Sequence, residues 1–257
     1  MKNLIDWKIF FILLFSCVIT SLLVIPFSLA LTSAEVEITP IILVLTIAQN
    51  LVLFAAAAFL GLLLSKRIGL GLPLLQGALD GNNQTKELKS MLTPSIGLGV
   101  LAGILIVLIS LPFGKFVPEL QNSELNIPAW KAFLASFYGG IAEEVLLRLF
   151  LVSLFVWLTF KIKKTKDGKP TDIGIWFSII LSAIVFGLGH LPATSQIIPL
   201  TGLVVVRAIV LNGVGGIIFG WLYWKKGLES AMIAHFSADI VLHVITPFIA
   251  RLYEFSF

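Results

Sequence analysis

Glu143 and Glu144 stand side by side, with Arg148 four residues on, inside an apolar run long enough to cross a bilayer. Ionisable groups in such a place cost roughly 3 kcal/mol each even on lenient insertion scales, so they persist where they pair, face a wet cavity or react. Positions four apart share a helix face, so Glu144 and Arg148 are spaced to pair. Glu143 is turned by about 100° from Glu144 and stays available to another partner. The two carboxylates then divide, one held by the arginine and one presented to a cavity. A lone Glu–Arg pair is equally a polar clamp between helices, so the remaining polar residues decide.

Two further apolar runs carry such residues. One ends Phe186-Gly187-Leu188-Gly189-His190, with Phe186 and His190 on one face. The other holds His235 and Asp239, again four apart, with His243 a turn further on. These are the three histidines of the chain. Taken singly, His190 reads as an interfacial histidine and His235–Asp239 as an interhelical pair. Three unrelated clamps explain the pattern less well than one shared polar site.

The elements that must position these groups are membrane helices. The chain has 257 residues, of which 58% are hydrophobic and 12% charged, against about 25% charged in soluble domains. With a mean hydropathy of +1.03, it reads as an all-α polytopic membrane protein. Seven spans of about 20 apolar residues are expected near 8–30, 39–64, 95–113, 130–160, 173–190, 199–224 and 230–250, which puts the polar site between spans 4, 5 and 7. The first span exceeds the apolar length of a signal peptide and is read as retained. Two blocks follow: a two-helix region with a cytoplasmic loop over 1–94, and a core over 95–257 holding the motifs within 143–239. The loop 65–94 is too long for a tight turn, and its Leu-rich start is suited to the membrane surface.

Charge orients the bundle. Thirteen of the 18 Lys and Arg lie before span 1 or after spans 2, 4 and 6. The opposite loops hold Glu35, Glu37, Glu119 and Glu124, with Lys115, Lys131 and Arg251. The positive-inside rule then predicts a cytoplasmic N-terminus and an external C-terminus, in a multi-pass protein expected in the plasma membrane. The net charge of +4 is modest and the basic residues cluster in loops rather than in a stripe, so they read as topology signals and not as a nucleic-acid footprint. A single cysteine, Cys17, excludes an intrachain disulfide framework. Gly99-xxx-Gly103 and Gly216-xxx-Gly220 read as close-approach faces between helices.

In their order along the chain, Glu-Glu-x-x-x-Arg (143–148), Phe-x-x-x-His (186–190) and His-x-x-x-Asp (235–239) resemble the CAAX-protease and bacteriocin-processing (CPBP, or Abi) family, which includes the type II CAAX prenyl proteases. The resemblance covers roughly 130–245. It implies an intramembrane endopeptidase acting on a membrane-anchored, in some relatives prenylated, protein or peptide in the lipid bilayer. Two positions depart from the pattern. Leu149 stands where many relatives carry glycine, and Asp239 stands where the prenyl-protease branch usually carries asparagine, which weakens prenyl specificity.

The resemblance implies catalytic roles for Glu143, Glu144, Arg148, His190, His235 and Asp239. Glu143, helped by His190, fits the activation of water, while Glu144 with Arg148 would set the site. His235 and Asp239 would stabilise an oxyanion or, with His190, bind a divalent metal such as Zn2+; a metal-free glutamate mechanism is the other route. A non-catalytic scaffold or bacteriocin-immunity protein is the alternative, and a proton-coupled transporter is disfavoured because no inverted repeat is visible. One geometric demand remains. At about 1.5 Å per residue, His190 lies about 26 Å from the inner end of span 5 and His235 about 8 Å from that of span 7. An irregular segment near 191–201 or 227–230 is therefore expected.

Overall fold

In a computed structural model of the chain, residues 5–31, 39–117 and 127–254 are described. The charged residues Lys2, Glu35, Glu37, Glu119 and Glu124 lie outside them. Among the described residues seven helices are long and apolar enough to span a membrane: span 1 (Trp7–Leu31), span 2 (Pro40–Ile68), span 3 (Thr85–Gly114), span 4 (Ala129–Ile162), span 5 (Asp172–Thr194), span 6 (Gly202–Lys226) and span 7 (Leu228–Leu252). No strand occurs among the described residues, so the protein is an all-α, multi-pass membrane protein.

Local chemistry sets the helix starts. Asp6 accepts hydrogen bonds from the amides of Lys8 and Ile9, and Thr39, Thr171 and Thr201 each accept one from an amide three residues on. Each satisfies a donor that the first turn leaves without a carbonyl. Span 2 ends at Gly69, whose φ of +74° is the left-handed cap that glycine adopts without strain. Large apolar side chains such as Ile41, Val52 and Leu108 point outward, as helices facing lipid require.

Small residues set the helix–helix distances. A Cβ on Gly216 would run into Ala183 and one on Gly220 into Ile179, so spans 5 and 6 meet along that stripe. Gly99 and Gly103 face Ala234, Ser237 and Val241 in the same way, packing span 3 on span 7. Leu149, the first departure from the family pattern, is fully buried against Gly61 of span 2. The glycine on the neighbouring span leaves room for the leucine side chain. One large buried core unites spans 1 and 2 with span 4 and the start of span 7.

The loop expected over 65–94 is more ordered than its polarity suggests. It contains a short helix, Pro73–Leu79, and span 3 begins at Thr85, ten residues earlier than hydropathy indicates. Lys86, Glu87 and Lys89 make those first turns polar, so they extend the helix without extending the apolar stretch.

Irregular backbone occurs at both expected places. Span 5 breaks at His190 into one turn, Leu191–Thr194. Spans 6 and 7 are joined through Gly227 alone, at φ +100°. That turn is tucked under the Pro73–Leu79 helix: the Leu228 amide donates to the Gly71 carbonyl at 2.9 Å, and the Leu75 amide donates to Glu229 Oε1 at 2.9 Å. Span 4 is also irregular, running through two π-helical stretches, Tyr138–Glu143 and Val145–Val152. A third, Ile240–Ile245, follows Asp239 in span 7. Such wide turns are rare and often mark functional sites.

Candidate active site

The polar residues of span 4 are dealt to different neighbours. Glu144 is fully buried. Its Oε1 lies 2.7 Å from Arg148 Nη1 and accepts a 2.7 Å hydrogen bond from His235 Nδ1. Oε2 has no hydrogen-bond partner among the described residues. The Arg148 contact is a close ion pair rather than a well-aligned hydrogen bond, since Nη1 meets no hydrogen-bond geometry. Charge attraction carries that contact.

Aromatic rings complete the environment of the arginine. Its guanidinium lies 5.1 Å from the centroid of Phe186 and 5.3 Å from that of Phe219, where ring quadrupoles attract a cation. Phe219 also stacks on His235, with centroids 4.7 Å apart and planes at 23°, and Phe186 meets the same imidazole edge-on at 5.7 Å. Arg148 and His235 therefore share two aromatic walls and one carboxylate oxygen.

Glu143 keeps 21% of its side chain exposed and faces a different space. Its Oε2 lies 3.7 Å from His235 Nε2, and Asp239 Oδ1 lies 3.6 Å from the same nitrogen. Both separations exceed a hydrogen bond. Glu143, His235 and Asp239 line a cavity of about 700 Å³ shared with Tyr138, Phe186, His190 and Phe219. Gly139 forms the wall behind: a Cβ there would collide with the Asp239 carboxylate and come within 3.1 Å of His235 Nε2. Span 4 can approach the histidine and aspartate only because that position has no side chain.

His190 sits apart from this cluster while lining the same cavity. Its Nδ1 donates to the Phe186 carbonyl of its own helix at 2.9 Å, and its ring meets Phe186 edge-on at 4.8 Å. Among the described residues no hydrogen bond or ion pair joins it to Glu143. Both histidines thus commit Nδ1–H, and neither Nε2 has a hydrogen bond among the described residues. In that tautomer Nε2 is a lone pair able to take a proton or a metal.

For a divalent metal the donor types are suitable. A carboxylate orienting Nδ1 of a histidine is the usual support for a metal-bound Nε2. The placement is less so: no group of three His, Cys, Asp or Glu among the described residues is arranged to hold an ion.

Sequence reasoning did not reach Phe219 or the role of Gly139. An aromatic residue in an apolar span carries no distinguishing pattern. The available signal for Phe219 was the flanking Gly215, Gly216 and Gly220, which bring that face of span 6 against span 5.

No curated protein and no solved structure matches the chain significantly. Residues 125–241 match the family described as type II CAAX prenyl endopeptidase Rce1-like. That segment contains Glu143, Glu144, Arg148, His190, His235 and Asp239, and over it the chain is similar to the CAAX-protease family.

Proposed function

We propose that the protein is an intramembrane endopeptidase that hydrolyses a peptide bond of a membrane-anchored protein or peptide in the cavity between spans 4, 5, 6 and 7. The observation that carries this reading is the pairing of a half-open carboxylate, Glu143, with a histidine that a second, buried carboxylate holds rigidly. A water about 2.8 Å from both Glu143 Oε2 and His235 Nε2 is compatible with their 3.7 Å separation. Glu143 takes a proton from that water, and the oxygen adds to the carbonyl carbon. Collapse of the tetrahedral intermediate breaks the C–N bond, and the proton passes from Glu143 to the departing amine. His235 Nε2, when it carries a proton, donates to the developing oxyanion. Glu144 and Arg148 fix the ring that does so. His190 sits farther along the cavity and is assigned to substrate positioning.

A divalent ion bound through His235 Nε2 and Asp239, with His190 recruited from the cavity wall, is a second reading. The common orientation of the two histidines favours it. No step above depends on such an ion.

The test is Glu143→Gln in proteoliposomes containing membrane-anchored reporter peptides. Turnover falls by about 10²–10⁴-fold, the usual worth of a general base, while the unfolding midpoint stays at the wild-type value because the Glu143 carboxylate is only partly buried. Undiminished cleavage in that variant sinks the assignment.

A further inference from the structure

The cavity and the basic loops lie at opposite poles of the bundle. From the cluster, the cavity runs past Leu31 at the end of span 1, Leu111 near the end of span 3, Thr194 at the end of span 5 and Ala250 near the end of span 7. Arg207, near the start of span 6, lines it too. All of these positions belong to one end of an antiparallel bundle. The other end gathers Lys66 of span 2 with Lys225 and Lys226 of span 6 and Asp6 before span 1, around a separate hollow of about 480 Å³. Trp176 of span 5 packs on Trp224 of span 6 at 5.9 Å near that same end, so the five lysines between 161 and 169, just before span 5, belong there as well.

Basic residues near span ends remain on the cytoplasmic side. The pole rich in lysine is therefore the cytoplasmic one, and the cavity leads to the other. We infer that the site takes its substrate from the non-cytoplasmic side: a peptide segment displayed outside the cytoplasm next to the membrane, not a cytosolic C-terminal tail. This rests on the peptidase reading for the chemistry, and on charge and cavity placement for the side.

The experiment uses membrane-impermeant maleimide on sealed vesicles of both orientations carrying the full-length protein. Cys17 is fully buried, so the wild type is the unlabelled control. Ala193→Cys reports the cavity, on an exposed turn beside His190. Lys166→Cys reports the basic pole from an exposed loop. Ala193→Cys is expected to react in right-side-out vesicles and Lys166→Cys only in inside-out ones. The reverse pattern overturns the proposal, and so does an Ala193→Cys that reacts in neither orientation. The labelling reads no turnover. An inactive protein that labels as expected would remove the peptidase reading and leave the sidedness standing.

Discussion

Removing Arg148 alone is expected to harm the fold more than removing it together with Glu144. Arg148 and Glu144 are among the most deeply buried residues of the chain, and their contact is 2.7 Å. Arg148→Leu strands a buried carboxylate with only His235 Nδ1 as partner, which costs about 3–5 kcal/mol. Two cation–π contacts disappear with it, each worth about 0.5–2 kcal/mol, though leucine refills part of the space between the rings. The double variant Arg148→Leu/Glu144→Leu removes both charges and leaves His235 Nδ1–H without its acceptor, a loss of about 1–3 kcal/mol. The double should therefore be more stable than Arg148→Leu by about 2 kcal/mol, although both are inactive. Arg148→Lys keeps the charge but not the flat cation between two rings, and should fall between the wild type and Arg148→Leu. Reversible denaturant unfolding in micelles, followed through the six tryptophans, measures all four proteins. A double variant no more stable than Arg148→Leu would refute the reasoning, because the stranded Glu144 carboxylate would then cost nothing.

Two other perturbations separate shape from chemistry. Gly139→Ala drives a methyl into the Asp239 carboxylate and against His235; turnover should drop at least about tenfold, with an unfolding loss of about 1–3 kcal/mol typical of overpacking. Normal turnover in that variant would place the reacting groups elsewhere in the cavity. Metal analysis of the purified protein and of His235→Ala decides between the two chemical routes. A near-stoichiometric ion lost in His235→Ala establishes the metal route, and an ion that survives the substitution removes His235 from its ligands.

Most of the architecture was legible because membrane spans are specified by length and apolarity alone, and that specification is redundant. The paired role of Glu144 and Arg148 followed from a four-residue spacing that survives even in the widened helix. The start of span 3 was missed because Lys86, Glu87 and Lys89 lengthen it outside the apolar layer, where hydropathy is silent. The π-helical stretches of spans 4 and 7 have no periodic signature in segments that are apolar on nearly every face. Within the two stretches of span 4, Leu149 fills the space over Gly61 and Gly139 closes on Asp239, contacts that lie outside any local pattern. His190 was grouped with the site because three spans carry such polar residues, and it does line the cavity. Sequence could not foresee that its Nδ1 is committed to its own helix.

The wide turns of span 4 make its residue count part of the geometry of the candidate site. Phe137, at the lower edge of the first π-helical stretch, packs on Phe236 at 4.9 Å, while Leu149 in the second is keyed into Gly61. Between these anchors the helix holds more residues per turn than an ordinary one. Losing a single residue from 138–152 would barely shorten the span, yet it would change the helical phase between the anchors and swing Glu143 off the cavity wall. Loops can grow or shrink without reaching the chemistry. Within this stretch an insertion or deletion acts like a wrong rotation, and the span is expected to tolerate substitution far better than any change in length.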